Sequence, residues 1–303
     1  MSIRAFIDVG TNSTNLLVSD GTTDLAHDVV VTRLGEGLHR SGVLSAPAVE
    51  RTVDTIVRHA ATARALGATG VVVVGTAACR RATNTDVLAD AVAAATGLSL
   101  EVLSPQQEAE LAFAGAVHGL PPTDGDTMVI DIGGGSTEIT VGDTAPHASV
   151  SIPIGAVTAT ESDLTTDPPR PEDLTNVIGA VQDEIEEIGR TTPAALSAGR
   201  VVGVAGTIVT VAAVEIGLRT FDHSALHGFE LTRGAAEDVF RTLATESLAD
   251  RRMNPGLPAD RADVIVAGCC ILVAVMRRLQ LDSVTVSTRG LLHGLALRGR
   301  LGS

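Results

Sequence analysis

The sequence predicts an α/β fold in which a mixed sheet with covering helices is built twice along a chain of 303 residues. Two observations predict it. The stretch "IDVGTNSTNLLVSD" at 7–20 returns as "IDIGGGSTEITVGD" at 130–143, each an apolar strand, a turn of small residues and an alternating strand. The order of predicted elements also repeats, as three strands followed by helix, strand, helix, strand and helix. Duplication of one α/β unit accounts for both observations.

The first half alternates between short apolar runs bounded by turn residues and longer amphipathic runs. Strands are therefore predicted at 3–9, 14–20, 25–34, 71–74 and 99–103. Helices are predicted at 46–66, near 84–96 and from Pro105 onward.

The turn-rich stretch "GLPPTDGD" at 119–126 is the best candidate for a domain boundary. It predicts an N-terminal domain at 1–122 and a C-terminal domain at 123–303, with a last helix that can pack back on the first domain. A polar, proline-rich loop is expected at 160–174. Strands are predicted at 127–132, 137–142, 147–152, 200–204 and 283–287, and helices up to about 189, at 207–217, in two further stretches and at the C-terminus.

The charge of the chain excludes one class of partner. The formal net charge is −14 at pH 7, so a basic face for nucleic acid or a membrane surface is not expected. All 22 basic residues are arginines, which excludes mechanisms that need a lysine. A phosphate ligand would be held by backbone N–H groups, hydroxyls, a metal ion and arginine guanidinium groups. Tryptophan and tyrosine are absent, which weakly disfavours a site that stacks a nucleobase.

Apolar runs and cysteines indicate the compartment. The longest apolar runs, at 262–276 and 71–74, are too short to span a bilayer, and the N-terminus lacks the pattern of a secretory signal. The three cysteines have neither a disulfide framework nor metal-ligand spacing. We expect Cys269 and Cys270 to be buried on an apolar helix, and the protein to be cytoplasmic with no membrane partner.

The repeated hairpins form the first candidate site. Backbone N–H groups of a tight turn of small residues can converge on an anion, and hydroxyl groups add donors. The candidates are Gly10, Thr11, Asn12 and Ser13 in the first hairpin, and Gly133, Gly134, Gly135, Ser136 and Thr137 in the second. The alternative is that these residues only close type I′ turns. One hairpin alone would favour that alternative, whereas two matched hairpins favour phosphate binding.

Acidic residues beside the hairpins imply a cation. Asp8 is predicted to belong to the substrate-binding site. Its carboxylate, like those of Asp131 and Glu138, cannot contact phosphate directly without repulsion. A hard cation is therefore expected between them, Mg²⁺ first and Mn²⁺ as a substitute.

A third stretch of the sequence is also a candidate for phosphate binding. The stretch "VVGVAGTIVTVAA" at 201–213 reads as a buried strand, a turn of small residues and a helix. It places Gly206 and Thr207 at a helix N-terminus, where N–H groups and the helix dipole favour an anion. The alternative is an ordinary strand-to-helix turn with Thr207 as the N-cap.

Several further stretches resemble the exopolyphosphatase / guanosine pentaphosphate phosphatase family, within the superfamily of actin, sugar kinases and Hsp70 ATPase domains. The Thr-Ala-x-x-Arg and Ser-x-x-x-Glu-Ala segments are the most specific for the family. The matching stretches include "RLGEGL" (33–38), "GTAACRRATN" (75–84), "LSPQQEAELAFAG" (103–115), "IPIGAV" (152–157), "LHGFELT" (226–232), "RADVIVAGCCIL" (261–272) and "VSTRGLLHG" (286–294). The resemblance implies duplicated ribonuclease H-like (actin-like ATPase) domains facing each other across a cleft, as in the short two-domain members.

Carried over to matching positions, the resemblance implies Glu108 as the catalytic base and Arg80 on the phosphate chain. It also implies Asp131, Gly133 and Glu138 around the metal ion. Taken alone, Glu108 would be a solvated carboxylate in the first turn of a helix and Arg80 a surface arginine paired with an acid. The family context favours the catalytic roles.

The resulting expectation is an exopolyphosphatase, a phosphoanhydride hydrolase that removes terminal phosphates from inorganic polyphosphate with a Glu108-activated water and Mg²⁺. A guanosine pentaphosphate 5′-phosphatase is the alternative within this reaction class. An actin-like, nucleotide-binding regulatory protein with little turnover is the alternative outside it. The protein is expected to form a homodimer.

Two further sets of residues are considered for binding roles. A polyanionic substrate needs further arginines, for which Arg33, Arg81, Arg261 and Arg289 are candidates. His223 and His227 stand four residues apart, as metal ligands on a helix can, but no third ligand accompanies them. A zinc site is therefore not predicted.

Overall fold

A computed structural model describes residues 2–301 of the chain, including the side chains of residues 2–298. The chain divides into two compact units. The first unit comprises the residues up to Gly115 together with those from Leu291 onward, and the second comprises Ala116–Gly290.

A five-stranded mixed sheet forms the centre of the first unit. Its strands are β1 (Arg4–Val9), β2 (Ser13–Ser19), β3 (Asp24–Val31), β4 (Gly70–Gly75) and β5 (Leu100–Val102). The strand order is β3-β2-β1-β4-β5. β1, β2 and β3 pair antiparallel, whereas β4 pairs parallel with β1 and β5 parallel with β4.

Helices cover this sheet and connect its strands. In chain order they are α1 (Leu38–Ser41), α2 (Ala46–Ala65), α3 (Ala77–Arg81), α4 (Thr85–Thr96) and α5 (Pro105–Val117). α2 begins where the Ser45 hydroxyl accepts a hydrogen bond from the Ala48 N–H, and Pro47 suits the first turn because it has no N–H to leave unpaired. Val49 and Ile56 lie on the face of α2 that packs into the core of the unit.

The second unit repeats this sheet and adds one strand. Its strands are β6 (Thr127–Ile132), β7 (Thr137–Gly142), β8 (Pro146–Ile152), β9 (Arg200–Val204), β10 (Glu230–Thr232) and β11 (Ser283–Val286). The order is β10-β11-β9-β6-β7-β8, with β6, β9 and β11 parallel to one another. Apart from the edge strand β10, order and pairing match the first sheet. The predicted duplicated α/β fold class is thus confirmed.

The helices of the second unit are α6 (Ala156–Ser162), α7 (Pro171–Thr191), α8 (Ala205–Ile216), α9 (His223–Leu226), α10 (Arg233–Thr245), α11 (Leu248–Arg251) and α12 (Ile265–Arg278). α12 is almost entirely buried, and Cys269 and Cys270 lie in it as predicted. α6 overlaps the start of the loop expected at 160–174. No helix within residues 2–301 combines the length and apolar character needed to cross a membrane.

The last helix, α13 (Leu291–Leu301), packs within the first unit. Leu292 joins Phe6 and Leu17 in a small apolar cluster against the sheet. A Cβ on Gly294 would lie 1.9 Å from the Leu111 carbonyl oxygen, so α13 and α5 approach more closely there than any side chain permits.

Candidate active site

The two hairpin loops close in the same way. The Gly10 N–H donates to the Ser13 carbonyl at 2.9 Å, and the Gly133 N–H donates to the Ser136 carbonyl at 3.0 Å. The match predicted from the sequence repeat therefore extends to the hydrogen bond that closes each turn.

In each unit, a segment that follows the third strand packs on the hairpin loop. The Gly35 N–H donates to the Thr11 carbonyl at 2.9 Å, and the equivalent bond in the second unit joins the Val157 N–H to the Gly134 carbonyl at 2.8 Å. Across a trans peptide bond, the carbonyl of one residue and the N–H of the next point in opposite directions. The Asn12 N–H therefore points away from the segment that holds the loop, as a phosphate-binding turn requires.

Sequence reasoning missed the two glycines that permit this packing. A Cβ on Gly35 would lie 2.3 Å from Cγ2 of Thr11, and a Cβ on Gly155 would lie 2.5 Å from the Gly134 carbonyl oxygen. Both glycines stand in stretches quoted for the family resemblance, "RLGEGL" and "IPIGAV", and this close approach gives them a physical role.

The hydroxyl groups of the second loop have protein partners. The Thr137 hydroxyl donates to the Ile154 carbonyl at 2.8 Å, and the Ser136 hydroxyl donates to Oε1 of Glu138 at 2.6 Å. Both bonds fix the loop. Contact of these residues, and of Thr11, Asn12 and Ser13, with phosphate remains a prediction.

Asp8 lies on β1 directly opposite Asn15 on β2. The Asn15 side-chain amide donates to Oδ2 of Asp8 at 3.0 Å, whereas Oδ1 is buried and has no hydrogen-bond partner among the described residues. Burial raises the pKa of Asp8 from its usual 3.8 to about 7; the Asn15 hydrogen bond opposes this rise and the charge of Glu108 adds to it. An orphaned, buried carboxylate oxygen is the kind of atom that a cation satisfies.

The equivalent pair in the second unit is Asp131 on β6 and Glu138 on β7, directly opposite each other. Oε1 of Glu138 accepts hydrogen bonds from Ser136 at 2.6 Å and Ser151 at 3.0 Å, which fixes its carboxylate. Two carboxylates opposite each other destabilise a strand pair unless a cation compensates them. Oxygen donors alone suit Mg²⁺ or Mn²⁺, so this pair fits a hard cation. The Gly133 carbonyl already accepts from the Ala156 N–H at 2.9 Å, so metal ligation would use its second lone pair.

Glu108 and Arg80 form an ion pair in the first unit. Glu108 lies in the first turn of α5, and Nη1 of Arg80, on α3, donates to Glu108 Oε2 and to the Leu103 carbonyl. The side chains of Arg80 and Glu108 are only 20% and 17% exposed, so Glu108 is not a solvated carboxylate. Burial raises the pKa of Glu108, against the opposing charge and hydrogen bond of Arg80.

The turn between β9 and α8 is the third candidate phosphate-binding stretch. Val204 is the N-cap, so the alternative that Thr207 caps the helix is wrong; Thr207 lies buried inside the first turn. Ala205 has a φ of 67°, a left-handed conformation that is strained for a residue with a Cβ. A Cβ on Gly206 would lie 1.8 Å from Nη1 of Arg261, so a guanidinium group covers the start of α8.

Arg261, one of the four candidate arginines, lies against Gly206 at the start of α8. Its guanidinium group adds a positive charge to a helix N-terminus that already favours anions. Burial lowers the pKa of Arg261 and the charge of Asp260 raises it. The sequence could name Arg261 as one of four candidates but could not position it over Gly206.

Sheet topology explains why these residues meet within each unit. β1 and β4 are parallel, as are β6 and β9, so their carboxyl ends lie at one edge of the sheet. The first hairpin loop follows β1 and α3 follows β4; in the second unit, the second hairpin loop follows β6 and Gly206 follows β9. Ligands of open α/β sheets bind at this edge.

Comparison with known proteins identifies the family. The model of the Ppx/GppA phosphatase family matches residues 13–301. Exopolyphosphatase 2 of Mycobacterium tuberculosis is 34% identical over 310 residues, covering 97% of both chains. A crystal structure of an exopolyphosphatase-like protein superposes with a TM-score of 0.92 at 30% identity and 99% coverage of both chains. The crystal structure of an Aquifex aeolicus Ppx/GppA family member gives a TM-score of 0.81 at 29% identity, covering 99% of this chain and 98% of that chain.

This chain therefore belongs to the Ppx/GppA phosphatase family, which confirms the resemblance predicted from its motifs. Family membership supports the prediction of a phosphoanhydride hydrolase.

Proposed function

We propose that this protein is an exopolyphosphatase that hydrolyses the terminal phosphoanhydride bond of inorganic polyphosphate. The observation that carries the proposal is the buried ion pair of Glu108 and Arg80, at the sheet edge where the first hairpin loop also lies. The names of the relatives support the substrate: the Mycobacterium tuberculosis relative is called an exopolyphosphatase.

Glu108 acts as the general base. Its buried carboxylate orients a water molecule and takes its proton as the water attacks the terminal phosphorus atom. Burial raises the pKa of Glu108, and a carboxylate with a raised pKa is a stronger base near neutral pH. A pure nucleotide-binding protein would have no use for such a group.

Arg80 binds the phosphate chain and positions Glu108. Arginine carries five N–H donors, and only Nη1 is used in the contacts with Glu108 and the Leu103 carbonyl. Donors on Nε and Nη2 are available to phosphate oxygens without breaking the ion pair. The charge of Arg80 also stabilises negative charge that spreads over the transferred phosphoryl group.

The hairpin loops contribute backbone donors. The Asn12 N–H of the first loop donates to phosphate oxygens, and the N-terminus of α8 with Arg261 provides positive potential in the second unit. These groups are fixed by the packing segments before substrate arrives, so little conformational entropy is lost on binding.

Asp131 and Glu138 would hold Mg²⁺, with Gly133 beside them. A bound divalent cation would neutralise charge on the phosphate oxygens. Ser136 and Ser151 hold the Glu138 carboxylate in place for this role.

The test is phosphate release from purified protein with Mg²⁺, using polyphosphate of several lengths, guanosine pentaphosphate and ATP. Glu108→Gln should lower kcat on polyphosphate by roughly 10²–10⁴-fold, because the loss of a general base has this effect, while leaving polyphosphate binding intact. Glu110→Gln is the matched control, since Glu110 is an exposed acid of the same helix and accepts a hydrogen bond from the exposed Gln106. A Glu108→Gln variant that keeps wild-type kcat would remove Glu108 from the mechanism.

A further inference from the structure

An open groove lies between α2 and α4 in the first unit, with a volume of about 300 Å³. The side chains that line it are mostly aliphatic: Leu44, Ala46, Val49, Val53, Val87 and Ala91. Residues four apart lie on the same face of a helix. Val49 and Val53 therefore form one stripe on α2, and Val87 and Ala91 form a second stripe on α4.

Exposed apolar side chains extend the groove onto the surface. Val87 is 51% exposed although it lies inside α4. Val43, next to Leu44, is 40% exposed, and Val57, four residues after Val53, is 39% exposed. These are three of the ten large apolar side chains that are exposed in the described part of the chain. Scattered apolar side chains are normal on a surface, whereas a group of them beside an apolar groove marks a binding surface.

One end of the groove is fixed by hydrogen bonds within the unit. Asn84, which lines the groove, accepts from the Leu44 N–H at 2.8 Å through Oδ1 and donates to the Leu44 carbonyl at 3.1 Å through Nδ2. The Thr85 hydroxyl, at the start of α4, donates to the Ala82 carbonyl at 3.2 Å. Because these bonds hold the loops before a partner arrives, binding in the groove costs little conformational entropy.

Acidic side chains stand on both sides of the groove. Glu50 and Asp54 line it from α2. Asp90 is an exposed residue of α4 and follows Val87 by three positions, so the two are neighbours on the helix surface. None of these three carboxylates forms an ion pair within the described part of the chain. Their charge is complementary to a ligand that has one apolar face flanked by positive charges.

We propose that the groove between α2 and α4 binds a basic amphipathic helix of a partner protein. Such a helix lays its apolar face into an apolar groove, and lysine or arginine side chains beside that face would reach Glu50, Asp54 and Asp90. A second copy of this chain is a poor occupant, because its net charge is −14 and a symmetric contact would bring the same acidic rims together. Binding here uses none of the residues assigned to hydrolysis.

The probe is a fluorescein-labelled synthetic helix of leucine and lysine, with all leucines on one face and a length of about 18 residues, or roughly five turns. Fluorescence anisotropy of the peptide is measured as the full-length protein is added. The matched peptide has glutamate at every lysine position. Saturable binding of the lysine peptide and none of the glutamate peptide is expected. Equal binding of both peptides, or of neither, overturns the proposal.

A substitution in the groove locates the binding site. Ala91→Arg places a bulky cation among the lining side chains and should lower the affinity for the lysine peptide by at least about tenfold, because it removes apolar contact and repels lysine. Ala93→Arg is the matched control, since Ala93 is an exposed residue of the same helix on a different face. Both variants add the same charge. Equal affinities of the two variants would place the peptide elsewhere and overturn the proposal.

Neutralising the acidic rim gives a second arm, which does not depend on the folding of Ala91→Arg. Glu50→Gln with Asp54→Asn should weaken binding of the lysine peptide by roughly 2- to 30-fold, the range for two exposed ion pairs. The control is Asp183→Asn with Glu215→Gln, two exposed acids of α7 and α8. Equal weakening in both double variants would show that net charge alone attracts the peptide, which contradicts a specific groove.

Sedimentation velocity tests the other occupant. Wild type, Ala91→Arg and Ala93→Arg should have the same oligomeric state, because the groove is assigned to a different protein. A dimer that Ala91→Arg alone dissociates would assign the groove to a second copy of this chain and overturn the proposal.

Discussion

Asp8→Asn should stabilise the first unit at neutral pH while abolishing activity. Asp8 carries a carboxylate whose Oδ1 is buried without a partner, and burial raises its pKa to about 7. An asparagine has the same shape and no charge, and it can still accept the hydrogen bond from Asn15. The folded protein therefore holds an unfavourable charge that the variant removes.

The pH dependence follows from the direction of the pKa shift. Between roughly pH 4 and pH 7, the folded state binds a proton at Asp8 that the unfolded state has released. The contribution of Asp8 to the free energy of unfolding therefore falls as pH rises through this range and is constant above it. Each pKa unit corresponds to ~1.4 kcal/mol, which gives an upper limit of roughly 4 kcal/mol. Asp8 as a residue retains some exposure, so about 1–3 kcal/mol is expected, equivalent to roughly 3–10 °C in Tm.

The assay is thermal and urea unfolding of wild type and variant at pH 5, 6, 7 and 8, in the presence of a chelator. Asp8→Asn should be more stable than wild type at pH 8, and the difference should shrink steadily towards pH 5. Asp54→Asn is the control, because Asp54 is an exposed acid of α2 in the same unit. Identical pH dependence for wild type and Asp8→Asn would refute the claim that Asp8 is buried as a charge.

The fold was predictable where local pattern and tertiary contacts agree. The strands predicted at 127–132 and 137–142 have these bounds in the structure, and the helix predicted at 46–66 spans Ala46–Ala65, because alternation or helical spacing marks each of them. Two of the short elements, α3 and β10, were not predicted. α3 has five residues and β10 has three, too few to establish a period, and β10 depends on pairing with β11, distant in sequence.

In the candidate site, too, features encoded by local sequence were predictable, whereas contacts between distant residues were not. The likeness of the two hairpin loops was predictable because their sequences repeat, and the repeat extends to matching closing hydrogen bonds. The contact of these residues with phosphate stays a prediction. The pairing of Arg80 with Glu108 and the position of Arg261 over Gly206 could not be read from the sequence, because each joins residues far apart in the chain. Such contacts depend on strand order, which local pattern does not encode.

The duplicated units differ at one cross-strand position, and that difference has chemical consequences. Asp8 faces Asn15, a neutral amide, whereas Asp131 faces Glu138, a second carboxylate. Two carboxylates therefore face each other across the strand pair of the second unit, whereas in the first unit an amide holds a single carboxylate. The scaffold is repeated, but the two hairpins are not interchangeable.

Two further predictions follow from these pairs. Arg80→Met should lower kcat on polyphosphate. It should also raise the pKa of the acidic limb of the pH–rate profile, because the charge of Arg80 lowers the pKa of Glu108. An unshifted limb would show that the ion pair does not persist in the working enzyme. Glu138→Gln should increase the Mg²⁺ concentration needed for half-maximal activity by at least about tenfold, because it removes one charge from the proposed hard-cation site. Glu230→Gln is its matched control, since Glu230 also accepts hydrogen bonds from two strand hydroxyls, at 3.0 and 2.6 Å, but faces no second carboxylate across its strand pair. Equal Mg²⁺ dependence in both variants would place the cation away from Glu138.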